Sequence, residues 1–460
     1  MRRKFAGFLS VILASSVMMG ISSCKAEQKT FPELSFADGE TTVASEDPDS
    51  TTVAVEDTNR IINISVAVPY SDETMNRLLK LYYLKQTDLM PEGSKGADID
   101  VDYLDSVSTP WILNVINTPS DGISYSSVES WYKGGNVPDI YLVNDFEAVV
   151  DGGYAANISN YINGYDMSSS SLYGNALVAC MNDNGAYGIP MYQTFMMLFG
   201  TSDYVNEDGE LPFRNSYNEF KSFLGDIKAA YGEETGVVPF AKGYELAPYI
   251  TNGSYMLKDD YRTNESWNTL LVQDIYYIDY LYENELTADI DEFGSDPTIS
   301  RSAALWMDSS ANVQRWSEYY PDTIYYTMLP CNDIDSDLEL YASVYPLCLS
   351  TKSSEKSFAA NFAAFMCFDM DALMLLNRLE PQIGYYPITD SDMVWDIICS
   401  NEAFGSVSMI FRQNIQYSYY CPTKGSSLEQ KVDDYCSYYF SYEKNHDDDR
   451  PEFDVEGLFK

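Results

Sequence analysis

A single histidine, His446, stands in a charged stretch near the C-terminus and sets the first limit on the chemistry open to this chain. Ser-His-Asp and Cys-His centres need an imidazole to carry a proton, so any such centre would have to be served by His446. Zinc sites draw on histidines and closely spaced cysteines. The cysteines here are Cys24, Cys180, Cys331, Cys348, Cys367, Cys399, Cys421 and Cys436, with no close CxxC pair among them. Several lie in apolar runs, such as Phe365-Met366-Cys367-Phe368 and Ile397-Ile398-Cys399, as small buried hydrophobes do. Setting Cys24 aside leaves an odd number, so a mostly reduced set is expected, with no metal and no cofactor. Glycoside hydrolysis would need two carboxylates placed about the scissile bond. With 70 acidic residues such a pair is easy to imagine, yet no motif singles one out, and no catalytic residue is assigned. Asn144 and Asp145 are better placed for binding. They follow the apolar run Ile140-Tyr141-Leu142-Val143, and a carboxylate at a strand end is hard to explain by core packing.

The elements around that pair alternate. Ile61 to Val68 reads as a buried strand ended by Pro69, and Thr74 to Gln86 as a helix with Met75, Leu78, Leu79 and Tyr82 on one face. Ile99 to Leu104 and Ile112 to Ile116 read as strands, and Val128 to Lys133 as a short helix ended by Gly134-Gly135. Asp139 is expected to be a cap or turn residue. Beyond the strand at Ile140 come a helix near Leu172 to Met181, a turn at Asn182 to Gly185, and an apolar segment from Met191 to Phe199 that could carry the chain between two lobes. Tyr217 to Ala230 and Trp267 to Tyr282 read as helices, Tyr341 to Leu349 as a strand, and Glu355 to Leu376 as a helical run. Alternating strands and helices indicate an α/β fold with a largely parallel sheet. Ligands of such sheets bind beyond the carboxyl ends of the strands, where Asn144 and Asp145 lie.

The charge narrows the partners. Lys and Arg number 28 against the 70 acidic residues, a formal net charge of −42. Such a chain repels phosphate backbones and anionic lipid surfaces, so nucleic acid is not an expected partner. At the N-terminus, Arg2, Arg3 and Lys4 precede an apolar run from Phe5 to Ile21, too short for a comfortable bilayer span but suited to a signal-peptide core. The run ends in Ile21-Ser22-Ser23-Cys24, which resembles the bacterial lipobox. That resemblance implies a signal peptide over residues 1–23 and a diacylglycerol on Cys24. Its two acyl chains would hold firmly, at roughly 0.8 kcal/mol per buried methylene. Residues 24–59, rich in Thr, Ser, Asp, Glu and Ala, then read as a flexible acidic tether at the outer face of the cytoplasmic membrane.

From about residue 60 to 440 the order of segments resembles the bacterial extracellular solute-binding proteins of family 1. The passages that carry it are Gly134 to Tyr141, Gly153 to Tyr161, Gly185-Ala186-Tyr187-Gly188-Ile189-Pro190, Tyr341 to Ala359, and Gly384-Tyr385-Tyr386-Pro387. The resemblance implies the type II periplasmic-binding fold, two α/β lobes joined by hinge crossovers. Lobe I would comprise residues 60–193 and 341–392, and lobe II residues 194–340 and 393–460. It further implies a monomer that captures a small solute, a carbohydrate or oligosaccharide, for the permease subunits of an ABC importer. The family's tyrosine-asparagine pair is absent at Leu198-Phe199-Gly200-Thr201. Ala311 and Asn312 stand where sugar-binding members commonly carry tryptophan. Projected onto the family's cleft, the ligand residues are Asn144, Asp145, Tyr192, Gln193, Thr194, Tyr249, Trp306, Asp308, Tyr345 and Tyr386. Pairing carboxylates and amides with aromatic rings suits a sugar, whose hydroxyls need polar partners and whose C–H faces stack on rings. A surface glycoside-active enzyme, the same fold with a peptide or polyamine ligand, and a structural surface lipoprotein remain open alternatives.

Lipid attachment at Cys24 is directly testable. Cys24→Ser is expected to release the protein from membranes or to leave an uncleaved precursor. Membrane fractionation with intact-mass measurement decides it, and a membrane-bound Cys24→Ser protein at the mature mass would refute the attachment.

Overall fold

The β-branched run INISVAV forms strand β1 (Ile62–Val68), and its burial shows why a continuous apolar stretch was needed: Val66, Ala67 and Val68 are wholly buried. The computed structural model describes residues 60–439 apart from internal breaks, the longest at 162–173, 205–215, 250–274, 331–339 and 422–433. Cys24, the leader, the 24–59 tether and His446 lie outside the described residues. β1 pairs in parallel with β2 (Trp111–Asn117) and with β3 (Ile140–Leu142). The helix Asp72–Gln86 covers one face of these strands. Ser71 starts it by accepting a hydrogen bond from the Thr74 N–H at 3.3 Å, and Met75, Leu78, Leu79 and Tyr82 are buried beneath it.

The expected strand Ile99–Leu104 is corrected to the helix Val101–Ser106. The Asp100 side chain accepts from the Asp102 N–H at 3.0 Å, and this cap opens a helical turn that buries Leu104. Local capping here outweighs a short apolar alternation. Other elements follow the sequence more closely. The helix Tyr125–Gly134 ends on Gly135 in the left-handed conformation at φ 76°, a glycine's usual place. A hairpin of β4 (Met181–Asn182) and β5 (Gly185–Ala186) leads into β6 (Gly188–Thr201). The helix Tyr217–Ile227 precedes β7 (Val238–Ala241), and the helix at 275–283 precedes β8 (Thr287–Ala288). Residues 267–274 of the expected Trp267–Tyr282 helix lie outside the described residues. Then come β9 (Ala303–Ser309), β10 (Ile324–Thr327), β11 (Leu340–Leu349) and β12 (Ser418–Cys421).

These strands form a ten-stranded sheet in the order β2-β1-β3-β11-β6-β9-β7-β8, with β10 on β6 and β12 on β11. β6 changes neighbours along its length. Gly188 to Phe195 pairs with β11, Met196 to Gly200 with β9, and Leu198 to Thr201 with β10. One apolar core joins β1, the helix Asp72–Gln86 and the helix Lys356–Phe368. A second gathers Leu198, Phe220, Phe240, Ile278 and Leu305. A third, with Phe195, Trp306, Tyr386, Trp395 and Phe411, lies against the middle of β6.

The expected helical run Glu355–Leu376 is two helices, Lys356–Phe368 and Met370–Leu379, bent by 70°. Asp369 breaks the run because its carboxylate caps the second helix, accepting from the N–H groups of Asp371 and Ala372 at 3.0 and 3.3 Å. Lys85 ties the break down with 2.8 Å bonds to Asp369 and Asp371. Among the described residues no single helix is long and apolar enough to cross a bilayer. Asp139 is structural: it accepts from the Ser65 N–H, the Ser65 hydroxyl and the Ser353 hydroxyl at 2.8, 2.9 and 2.6 Å. Cys180, Cys348, Cys367 and Cys399 are free thiols, and burial pushes each of them up from the ordinary thiol range.

Where β6 changes partners it is clamped from two sides. The Ser310 hydroxyl donates to the Gly384 carbonyl at 2.7 Å and accepts from the Phe195 N–H at 3.0 Å. Gln193 and Tyr386 exchange main-chain bonds at 2.8 and 2.9 Å, and the Gln193 amide donates to the Pro387 carbonyl at 3.1 Å. Gly384 holds φ 80°, and an added Cβ would stand 2.0 Å from the Ser310 carbonyl oxygen. Gly384→Ala is therefore expected to destabilise the fold by about 2–3 kcal/mol, read as a lower urea midpoint at unchanged slope.

Candidate functional site

Two sets of parallel strands end in positions where a ligand can be held. The first is β1, β2 and β3, whose carboxyl ends are Val68, Asn117 and Leu142. The second is β7, β8 and β9, ending at Ala241, Ala288 and Ser309. Open α/β sheets bind ligands beyond such ends because loops and helix starts converge there with unpaired polar groups.

At the first edge, Asn144 and Asp145 follow β3 and are half-buried. The Asn144 N–H donates to the Ile123 carbonyl at 3.2 Å, which fixes the loop after β2 across the end of β3. Asp145 takes the cap position of the helix Phe146–Asp151. Burial raises its pKa above the ordinary aspartate value, while a hydrogen bond from the Ala148 N–H pulls the other way. An aromatic group lies alongside: Tyr192 donates its hydroxyl proton to the Tyr70 hydroxyl, and the Tyr385 ring packs against Tyr192 and Tyr345 at 5.8 and 5.7 Å. Gln382 links this edge further, donating to the Pro69 carbonyl at 3.1 Å and accepting from Ser120 at 2.7 Å.

At the second edge a pocket of about 150 Å³ opens among Lys242, Glu245, Asp296, Asp308, Arg315 and Trp316. Asp308 is its best-ordered carboxylate. Oδ1 accepts from the Ser309 N–H at 2.7 Å and from the Asn312 amide at 2.8 Å, and Oδ2 accepts from the Trp316 indole at 2.7 Å. Lys242 reaches Asp296 at 2.6 Å and Glu245 at 3.8 Å. Burial opposes its charge, but these carboxylates outweigh that and hold its pKa above the ordinary lysine value. Lys242 also takes φ 54°, a strained conformation for a residue with a side chain, of the kind that gathers at functional sites. Trp306 forms the pocket's inner wall, stacked between Phe199 at 5.8 Å and Tyr320 at 4.9 Å. Among the described residues its buried indole N–H has no hydrogen-bond partner.

The remaining residues named from the sequence are placed in the interior. Gln193 and Thr194 are buried within β6, and Tyr192 packs beside them in the first core. Tyr345 and Tyr386 are buried too, Tyr386 stacking on Trp395 at 5.5 Å. Tyr249, expected as an aromatic wall, is only 6% exposed and lies in the second core, its carbonyl accepting from the Tyr217 hydroxyl at 3.3 Å. Asn144, Asp145 and Asp308 keep partial access to solvent. Sequence reasoning missed Tyr385, half-exposed beside the buried Tyr386, because a two-tyrosine turn does not say which ring faces out. It also missed Lys242 and Trp316, although Lys242 directly follows an apolar strand-like run, the same signal that singled out Asp145. Among the described residues, no group of three or more His, Cys, Asp or Glu side chains is arranged to hold a metal ion.

No family model matches the chain, and no curated protein matches it in sequence. Solved structures do match in fold. The cyclic α-maltosyl-1,6-maltose binding protein of Arthrobacter globiformis superposes with a TM-score of 0.59 at 12% identity, covering 86% of this chain and 96% of that one. The sugar-binding protein MalE of Xanthomonas citri gives 0.59 at 13% identity, covering 84% and 93%. A family 1 extracellular solute-binding protein of Alicyclobacillus acidocaldarius gives 0.53 at 13%, covering 85% and 96%. The chain has the type II periplasmic-binding fold, as its segment order implied.

The raised pKa of Asp145 has a testable sign. A carboxyl raised on folding favours the folded state fully below its unfolded pKa, and that contribution is lost as pH rises through the folded pKa. Asp145→Asn removes the loss, so its melting temperature relative to the parent is expected to be higher at pH 7 than at pH ~3.5. Melting curves at the two pH values check it.

Proposed function

We propose that the chain captures a polyhydroxylated neutral solute, a carbohydrate, between the two strand-end edges and delivers it to the permease of an ABC importer. The observation that carries this reading is the Asp308 pocket. A carboxylate held rigid by Trp316 and Asn312 stands at the carboxyl ends of β7 and β9, beside indole rings. A sugar needs that combination of ordered acceptor and aromatic surface. The solved structures of like fold add support, since their descriptions name sugar, maltodextrin and cyclic oligosaccharide binding. No chemical turnover belongs to this reading.

In this reading lobe I is 60–193 with 341–392, lobe II is 194–340 with 393–460, and β6 is one of the crossovers between them. Asn144 and Asp145 would meet the ligand from lobe I, and Asp308 from lobe II, on closure by a hinge motion. The leader, Cys24 and the acidic tether would hold the protein at the outer face of the membrane, beside its permease.

A thermal-shift screen over mono- and oligosaccharides, with dipeptides and polyamines alongside, tests the solute class. A ligand at about a hundredfold excess over its Kd stabilises the folded state by roughly 2.7 kcal/mol, which raises Tm by a few degrees. Asp308→Ala is expected to shrink that shift, at a binding loss of about 1–3 kcal/mol, by taking away the ordered acceptor. A shift with peptides or polyamines alone would replace the carbohydrate reading with another solute. Chemical change of the ligand would replace it with an enzyme.

A further inference from the structure

β2 stands at one end of the ten-stranded sheet, and among the described residues no strand pairs with its outer edge. Such edges are ordinarily guarded by charged side chains, because their unpaired N–H and C=O groups are a template for another strand. Here that guard is missing. From Ser106 to Ser120 the sequence has no charged residue, in a chain of which 21% is charged. The sheet face beside the edge is uncovered as well. Ile112 and Ile116 are 50% and 39% exposed, and Ile61, just before β1, is 74% exposed. Trp111 and Leu113 alternate with them onto the opposite face and are buried in the first core. At the carboxyl end of β2 the uncovered face runs into an open groove of about 360 Å³, bounded by Ile116, Ile123, Ser126, Ser130 and Trp131.

Charge and symmetry together say what fits there. At a net charge of −42 the chain repels another copy of itself over most of its surface, and least where one charge-free strand meets another. Asp105, at one flank, is already paired with Arg77 at 2.7 Å. β2 is seven residues long, with Asn114 at its centre and Ile112 and Ile116 two places to either side on the same face. Asn114 is held in place by donating to the Asn63 amide oxygen at 2.6 Å. Laid antiparallel about a twofold axis through Asn114, two copies set Ile112 of each against Ile116 of the other, with the two Asn114 residues facing one another. Each partner's Ile112 then stands at the mouth of the groove beside Ile116. Apolar side chains directly opposite on one face are the pairs that stabilise an antiparallel ladder. Pro110 and Pro119, which have no N–H to donate, bound the stretch and confine the ladder to this strand.

We propose that β2 is a dimerisation edge: two copies of the chain join their sheets through an antiparallel pair of β2 strands centred on Asn114. The pairing goes beyond solute capture and is independent of which solute the chain takes.

Sedimentation velocity on the full mature chain, from low to several hundred micromolar and with no solute added, tests it. A monomer–dimer equilibrium is expected. It should tighten as NaCl rises from about 0.05 to about 0.5 M, because salt screens the repulsion between the two acidic bodies. Ile112→Lys and Ile116→Glu each put a charge against an isoleucine in both cross-strand pairs, and each should weaken the dimer by about tenfold or more. The double variant Ile112→Lys with Ile116→Glu sets opposite charges across both pairs and should recover most of that loss. Both side chains are exposed, so every variant should keep the parent's urea midpoint at a concentration where the parent is monomeric. A chain that stays monomeric throughout, a dimer that salt weakens, or a dimer that Ile112→Lys leaves intact would overturn the pairing. So would a double variant that associates no more tightly than the single ones. None of these outcomes bears on the carbohydrate reading.

Discussion

Everything in this molecule that bears on a ligand is hung from one strand. β6 runs for 14 residues, nearly all of them buried, and hydrogen-bonds to β11 over its first half and to β9 and β10 over its second. A strand satisfies its main-chain groups only through neighbours on both sides, and burial makes each unmet group costly. The two sets of parallel strands are therefore held at a defined separation by a single continuous ladder. That arrangement is accommodated at particular residues. Pro190 faces Pro346 where the register with β11 slips at Tyr345/Pro346, and Gly188 is needed because a Cβ there would lie 2.8 Å from the Pro346 side chain. The clamp of Ser310, Gly384 and Gln193 closes over the strand where its partners change.

That constraint explains why so many polar and aromatic residues near the projected cleft are interior. Gln193 and Thr194 have the chemistry of ligand contacts, but in the middle of a central strand they serve the packing around it. Tyr386 has a phenol suited to a sugar, yet its main chain is paired with Gln193 and its ring is stacked on Trp395. Access returns only where strands stop. Asn144, Asp145, Lys242 and Asp308 all lie just beyond or at the last residues of parallel strands, and so does the Asp308 pocket.

The two edges differ in character. The first is acidic, with Asp145, Asp121 and Glu380 about it, and rich in tyrosine and hydroxyl groups. The second mixes Lys242 and Arg315 with Asp296, Asp308 and Glu245, so charge is compensated within the pocket and not across to the opposite edge.

Read alone, the sequence determined the class of fold, because periodicity and strand-end punctuation are local: β1, β2, β3, the helix Asp72–Gln86 and β11 all lie within a few residues of where their side-chain patterns put them. It also determined that histidine-dependent catalysis has one residue to rely on, and that Asp145 stands at the end of a strand. Where local signals competed, it misled. Asp100 turned a strand-like run into the helix Val101–Ser106, and Asp369 cut one apolar helix into two, because a short carboxylate can cap a helix that hydrophobic spacing cannot see. Tertiary structure alone decided which tyrosines face a crevice, since in a chain with 39 of them the outward and inward rings have the same local sequence and differ only in what packs on them. It likewise decided that Asp308 is held by Trp316 and Asn312, and that Trp306 is a wall. Those groupings join residues from separate elements, and only the register of the sheet and the packing of its helices bring them within reach of one another.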